Sequence, residues 1–148
     1  MNSKIIIQPL LNITTPLKIK TFVFFGNLFE DFTSIQLLIQ KIGSYIENLV
    51  LSICDYELSN ELFDIIIDSC KKIKFLHLNN IDLGNISQLS RILNFNNYLK
   101  YLTIEIKFHG YDFYSYDKED DLKISSMILY ELSKSLPLSL HYLDLTHH

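Results

Sequence analysis

The chain repeats one pattern of apolar residues, which is clearest in the segment from Ile73 to Leu83. There Ile73, Leu76 and Leu78 stand at the first, fourth and sixth positions of the segment. The same three-residue pattern starts again at Ile19, Ile46, Leu99 and Leu140. The steps between successive first residues are 27, 27, 26 and 41. A pattern that recurs at a nearly fixed step predicts a repeat protein.

Each strand pattern is followed by apolar residues at helical spacing. After the first strand, Asp31 or Thr33 is predicted to cap a helix that Gly43 ends. Ser59 is predicted to cap the next helix, which the pair Lys71-Lys72 would stabilise at its C-terminus. Asn85 is predicted to cap the helix of the following unit.

One strand and one helix of this length cannot bury their apolar faces alone, so successive units must stack. The expected fold is therefore α/β, with a parallel sheet on one side and helices on the other. We expect one domain over residues 1–148, with five strand-turn-helix units starting near residues 19, 46, 73, 99 and 140.

The last step is longer because residues 107–121 interrupt the pattern with the sequence K-F-H-G-Y-D-F-Y-S-Y-D-K-E-D-D. This segment has no helical or strand periodicity and is predicted to be a loop. It carries the aromatic residues Tyr111, Phe113, Tyr114 and Tyr116. Insertions in repeat proteins often lie on a binding face, but long surface loops are also tolerated without any function. Both interpretations remain open.

These residues resemble the leucine-rich-repeat superfamily, in particular its cysteine-containing and ribonuclease-inhibitor-like types. The resemblance implies a solenoid with strands on the concave side and helices on the convex side. Family members place Asn or Cys at the ninth position of the unit, and this chain has Asn27 and Cys54 there. Units three and four depart from the family pattern with Ile81 and Lys107, so their turns should be less regular.

The segment C-K-K-I-K-F-L, residues 70–76, is similar to fungal F-box-associated leucine-rich-repeat proteins. In those proteins the repeats capture a substrate and an F-box docks on a ubiquitin-ligase scaffold. This chain contains no F-box-like L-P-x-E segment. The resemblance therefore implies the substrate-recognition part of such a ligase, or a stand-alone relative.

The third, fifth and seventh positions of each unit should point away from the helices, because side chains alternate along a strand. The candidate protein-binding residues at these positions are Phe75, His77, Tyr101, Glu105, Tyr142 and Asp144. Phe75, Tyr101 and Tyr142 are predicted to lie side by side on neighbouring strands. Such a row fits an interface hot spot or simple cross-strand packing, and the sequence does not decide between them.

Composition narrows the function classes. The net charge is −4 and the lysines are scattered, which disfavours nucleic acid as a partner. No apolar run reaches the roughly 20 residues that span a bilayer, and no cleavable signal is apparent, so a cytoplasmic or nuclear protein is expected. Two cysteines, Cys54 and Cys70, suggest neither a disulfide nor a metal site.

No cofactor and no enzymatic activity are expected. His77 is predicted to lie near Thr103 and Glu105, but no Ser or Cys nucleophile shares that face in a recognisable motif. The four glycines stand singly, so they form no phosphate-binding loop, and the pair His147-His148 is interpreted as a chain end.

The sequence therefore predicts a protein-interaction scaffold, with the substrate-receptor role in an F-box-type ubiquitin ligase as its more specific form. The alternative is a structural or regulatory solenoid fragment that self-associates. The last strand, residues 140–146, is expected to leave an open edge, which would favour pairing with another strand or with further repeats.

Overall fold

The structure is a computed structural model, and it describes residues 3–26, 32–53, 59–106 and 118–147. In these ranges helices and strands alternate along the chain. The helices are α1 (Ser3–Leu11), α2 (Phe32–Ile42), α3 (Asn60–Ser69), α4 (Ile86–Phe95) and α5 (Lys118–Ser133). The strands are β1 (Thr21–Gly26), β2 (Asn48–Ile53), β3 (Phe75–Ile81), β4 (Tyr101–Ile106) and β5 (Tyr142–His147). Two short 3-10 turns, Gly43–Tyr45 and Leu83–Asn85, adjoin the helices.

The five strands form one parallel sheet in the order in which they occur in the chain. Their registers follow the repeat, because the third residues of all five units are aligned: Thr21, Asn48, Phe75, Tyr101 and Tyr142. The predicted α/β class, the parallel sheet and the alignment of the units are therefore confirmed.

The apolar positions of the repeat form the core. In the three central units every residue at the first, fourth and sixth positions is fully buried: Ile46, Leu49, Leu51, Ile73, Leu76, Leu78, Leu99, Leu102 and Ile104. These residues and the buried faces of the helices belong to one continuous apolar cluster. In the outer units Phe24 is buried with 8% of its surface exposed, and the other corresponding residues are only partly buried: Ile19, Phe22, Leu140, Leu143 and Leu145. Full burial thus requires a neighbouring unit on each side.

A repeated backbone contact fixes the start of every strand. The carbonyl of Lys20 accepts hydrogen bonds from the N–H groups of Glu47 and Asn48, at 2.8 and 2.9 Å. The carbonyls of Glu47, Lys74 and Lys100 accept the equivalent pairs from the next unit, at 2.7–3.1 Å. The second position of each unit is therefore held in the same place relative to its neighbours.

The turn before the strand has the same hydrogen bond in three of the units. In units two, four and five the N–H of the first residue donates to the carbonyl three residues earlier, at 3.0–3.2 Å. In unit three, Ile73 N–H donates instead to the side-chain Oδ1 of Asn96, at 3.1 Å. Asn96 is fully buried, and its Nδ2 donates to the carbonyl of Ile92 at 3.0 Å. The side chain that follows α4 thus completes the turn before β3, at the other end of the same unit.

Gly43 permits two helices to approach closely. Helix α2 ends at Ile42, as predicted, and Gly43 opens the 3-10 turn that follows. A Cβ atom on Gly43 would lie 2.6 Å from the Cβ of Ser69 at the end of α3. Real Cβ atoms do not approach so closely, so helix packing requires glycine at this position as strongly as helix termination does.

The predicted helix caps are partly correct. Ser59 caps α3, since its Oγ accepts from Leu62 N–H at 3.3 Å. Thr33 is not a cap, because α2 already starts at Phe32, and Asp31 lies outside the described residues.

The prediction that Asn85 caps α4 with its side chain is wrong. Asn85 ends the 3-10 turn that precedes α4, and its N–H donates to Oδ1 of Asp82 at 3.1 Å. Its own side chain points to α3, where Nδ2 contacts Oδ1 of Asn60 at 3.4 Å. The additional 3-10 turn moves the capping role three residues upstream, to Asp82.

Two further expectations concern irregular segments. Strand β3 has a register shift between Leu78 and Ile81, and Asn80 has a positive φ of 57°, so the irregular end of unit three is confirmed. Helix α5 begins at Lys118, so residues 118–121 are helical and their assignment to the loop was wrong. Hydrophobic spacing marks the buried face of a helix and does not mark its first turn.

Several predicted residues lie outside the described ranges. They are Asn27, Cys54, Lys107 and the four aromatic residues Tyr111, Phe113, Tyr114 and Tyr116. The prediction that their segment contributes to binding stays a prediction.

Lys71 and Lys41 both stabilise helix ends. The Lys71 ammonium donates to the carbonyl of Ile67 near the end of α3, as predicted, and lies 4.9 Å from the ring centre of Phe95. The Lys41 ammonium on α2 donates to the carbonyl of Leu11, the last residue of α1, at 2.8 Å. Cations at these positions complement the negative end of the helix dipole.

We predict that Asn96→Ala lowers the free energy of unfolding by about 1–3 kcal/mol, because it leaves the N–H of Ile73 buried without its acceptor. Asn94→Ala, which replaces an exposed asparagine two residues earlier in the last turn of α4, is the matched control and should change stability by less than about 0.5 kcal/mol. Urea unfolding of both variants measures the difference. Equal effects would show that the side chain of Asn96 does not support the turn.

Candidate protein-binding face

The sheet presents a second surface at the third, fifth and seventh positions of the units, which we call the outward face. Side chains alternate along each strand, so these positions oppose the apolar cluster. The outward face consists of Thr21, Val23, Phe25, Asn48, Val50, Ser52, Phe75, His77, Asn79, Tyr101, Thr103, Glu105, Tyr142, Asp144 and Thr146. Most of them are exposed or half-buried, whereas their neighbours at the fourth and sixth positions are buried in the central strands.

The predicted aromatic row is present at the third position of β3, β4 and β5. The rings of Phe75 and Tyr101 have centroids 6.5 Å apart and are inclined by 37°, so they pack across the strands. Tyr142 is in register with Tyr101, and the two tyrosines remain 52% and 45% exposed. Cross-strand packing therefore occurs, and it leaves about half of each tyrosine available for contact.

Polar groups lie beside the aromatic row, further along the same strands. Nε2 of His77 lies 3.3 Å from Oε1 of Glu105, and both side chains are largely shielded from solvent. His77 is in register with Thr103, which is in turn in register with Asp144. All six predicted residues within the described ranges thus lie on one surface over β3, β4 and β5.

The strands β1 and β2 extend this face with a different character. Nδ2 of Asn48 donates to Oγ1 of Thr21, and Nδ2 of Asn79 donates to Oγ of Ser52, each at 3.0 Å. Further along the edge strand β1, Val23 and Phe25 are exposed, with 46% and 72% of their surface accessible. Apolar contact area is therefore available at both sides of the sheet.

A row of charges that was not among the predicted site residues lies at the second position of each unit, immediately before the outward face. Glu47 stands between two lysines: its Oε1 lies 3.3 Å from Nζ of Lys20 and its Oε2 lies 2.8 Å from Nζ of Lys74. The hydrogen bond from Lys74, and then that from Lys20, lowers the pKa of Glu47 below its usual value, so the carboxylate is ionised at neutral pH.

The row of charges continues with Lys100 and His141, which immediately precede β4 and β5, and both residues are exposed. We name the second-position residues Lys20, Glu47, Lys74, Lys100 and His141 the basic row. The signal was available in the sequence, since reading the second position of every unit shows three lysines and one glutamate.

The described residues offer few groups for catalysis. The Cys70 thiol is fully buried, and burial raises its pKa to about 12, so the reactive thiolate is not formed at neutral pH. Within residues 3–26, 32–53, 59–106 and 118–147, no three His, Cys, Asp or Glu side chains are grouped so that they could hold a metal ion. In the same ranges, none of the helices combines the length and the apolar character needed to cross a bilayer.

Comparisons with protein-family models, with curated proteins and with solved structures give no match to this chain.

We predict that the double variant Tyr101→Ser, Tyr142→Ser remains nearly as stable as the parent protein. Both side chains are half exposed, and surface substitutions usually change stability by about 0.5 kcal/mol or less each. Leu102→Ala, which truncates the fully buried residue next to Tyr101 on β4, should cost roughly 2–5 kcal/mol. Thermal unfolding followed by circular dichroism compares the three proteins. A loss in the double variant as large as in Leu102→Ala would contradict the assignment of the tyrosines to a surface.

Proposed function

We propose that this protein is a protein-binding scaffold, and that its partner contacts the outward face over β3, β4 and β5. The observation that carries the proposal is the row Phe75, Tyr101 and Tyr142, in which two tyrosines stay half exposed on adjacent strands. Tyrosine is enriched in interface hot spots, because it offers a large contact area with few rotatable bonds.

The support beneath the row favours the same function. The N–H of each of the three aromatic residues donates to the second-position carbonyl of the preceding unit, and Leu76 and Leu102, the next residues after Phe75 and Tyr101, are fully buried. Side chains on such a rigid support lose little additional freedom when they bind. Polar side chains beside the row supply the hydrogen-bonding groups that a protein interface needs. They are His77, Thr103, Glu105 and Asp144.

The more specific form of this proposal is a leucine-rich-repeat solenoid that recognises substrates for an F-box-type ubiquitin ligase. The repeat class is supported by the 26–27-residue step and by the fully buried first, fourth and sixth positions. The ligase role rests on the sequence resemblance alone. We propose no catalytic activity and no cofactor for the chain.

The binding proposal predicts partners that depend on the two tyrosines. Affinity purification from cells with the parent protein should enrich proteins that are at least severalfold depleted with the double variant Tyr101→Ser, Tyr142→Ser. Tyr130→Ser, which removes a tyrosine exposed on α5, is the matched control and should retain them. Partners that the double variant and the control retain equally would contradict the proposal, and ubiquitin-ligase subunits among the tyrosine-dependent partners would support its ligase form.

A second function, self-association, is favoured by the exposure of apolar residues on β5 and on the helix α5 that precedes it. Leu143 and Leu145 are only partly buried, while the equivalent Leu102 and Ile104 in the fourth unit are fully buried. On α5, Leu122 and Leu129 lie two helical turns apart on one side and are 69% and 44% exposed. A second copy packed against this end would cover these side chains.

If the protein self-associates, its average molecular mass in solution should rise above the monomer mass of 17.4 kDa as the concentration increases. Replacing Leu122 and Leu129 together by lysine should keep the protein monomeric, because each exposed apolar contact becomes a charge. Light scattering over a concentration series measures both proteins. A parent protein that stays at the monomer mass throughout would rule out this second function.

A further inference from the structure

The outward face and the basic row present different types of side chain in a fixed order along the strands. This order determines which chemical groups a partner must present. Along the strand direction, the second position is rich in lysine, the third holds the aromatic row, and the fifth and seventh carry Asp144 and Glu105. Because all five strands are parallel and in register, these positions form continuous bands across the sheet. On β4 and β5 the order from band to band is basic, aromatic, acidic, with Lys100, Tyr101 and Glu105 on β4 and its preceding residue, and His141, Tyr142 and Asp144 on β5 and its preceding residue.

We propose that the outward face recognises a segment of a partner protein in which acidic side chains stand next to apolar or aromatic ones. The acidic side chains would contact Lys74 and Lys100, and the apolar ones would contact Phe75, Tyr101 and Tyr142. This inference rests on the proposed function and adds the chemistry and the orientation of the ligand.

The charge balance of the basic row supports an acidic ligand. Three lysines face one glutamate, so the ionised groups of the row leave a net charge of +2 even with Glu47 paired to two lysines. The whole chain has a net charge of −4, so the charge of the row is opposite in sign to that of the protein as a whole. A local charge of this kind selects partners and accelerates their association.

The position of the lysines brings them within reach of the same ligand as the tyrosines. Lys74 directly precedes Phe75, and Lys100 directly precedes Tyr101. The N–H groups of Lys74 and Phe75 donate to one carbonyl, that of Glu47, so the alternation of side chains has not yet begun at the second position, as in a β-bulge. The ammonium groups and the aromatic rings are therefore available to neighbouring side chains of one bound segment. The Lys74 side chain is 46% exposed although it is paired with Glu47.

The observations favour a protein ligand over a nucleic acid. A polyanionic strand that followed the aromatic row would lie between the basic row and the carboxylates of Glu105 and Asp144. The negative charge of the whole protein would also oppose phosphate groups, whose binding depends on neutralisation by lysine and arginine. A peptide can instead place acidic residues at one end and neutral or basic residues at the other.

Selection from a random peptide display library against the full chain tests the inference. We expect enriched peptides to contain acidic residues beside aromatic or apolar ones. Synthetic copies of these peptides should bind about tenfold more weakly to Lys74→Glu and to Lys100→Glu. Lys100→Glu does not disturb the ion pairs of Glu47, so it remains informative if Lys74→Glu is poorly folded. Lys123→Glu, which reverses an exposed lysine on α5, is the matched control and should bind normally.

Glu47→Gln offers the opposite readout. It removes the carboxylate that competes for Lys20 and Lys74, so acidic peptides should bind severalfold more tightly. Unchanged or weaker binding to this variant would overturn the assignment of the lysines to the ligand site.

The other outcomes separate the inference from the function on which it rests. Peptides that lose binding in the Tyr101→Ser, Tyr142→Ser variant, but have no acidic residues and tolerate both lysine reversals, would overturn the inference and leave the proposed function standing. Selection of no tyrosine-dependent peptide would overturn both. Binding of a single-stranded oligouridylate at physiological salt, lost in the tyrosine and lysine variants, would replace the protein ligand by a nucleic acid.

Discussion

Burial of the inward apolar rows against a neighbouring unit is the constraint on which this structure depends. A leucine at the fourth or sixth position becomes inaccessible to water only when units stand on both sides, as Leu76 and Leu78 show in the centre and Leu143 and Leu145 show at the end. Burying such a side chain is worth about 1.5–3 kcal/mol. Because that free energy is shared between units, the sheet register and the helix layer follow from stacking, and no single unit is expected to persist alone.

The repeat made the strand alignment predictable from sequence to the residue. Each unit places the same residue types at the same positions, and a shift by one residue would move every leucine to the wrong face. Where an element depends on contacts between units, the sequence was less informative. The Asp82 cap arises from a 3-10 turn that has no apolar signature, and the close approach at Gly43 depends on Ser69, which is 26 positions away in the chain.

The aromatic part of the candidate site was predictable from the same repeat. The basic row was not predicted, for a different reason. Alternation along the strands placed Phe75, Tyr101 and Tyr142 on one surface, because alternation is a property of any strand. The basic row stands at the irregular start of the strands, where alternation does not apply, and its ion pairs become apparent only when residues 27 positions apart are brought side by side. Stability and the proposed recognition therefore depend on different positions of the same repeat, so the residues of the outward face can vary without disturbing the apolar rows.

Asn96 has a consequence for how such a chain can change over time. Two of the turns that precede the strands of the inner units close on themselves, but the turn before β3 is closed by Asn96, which follows α4 at the other end of the same unit. Ile73 and Asn96 are thus an inseparable pair: a deletion or exchange that keeps Ile73 but loses Asn96 would leave a buried amide without an acceptor. Recombination with a junction between these two residues is therefore hindered. The strand that carries Phe75 and the helix α4 behind it are inherited together.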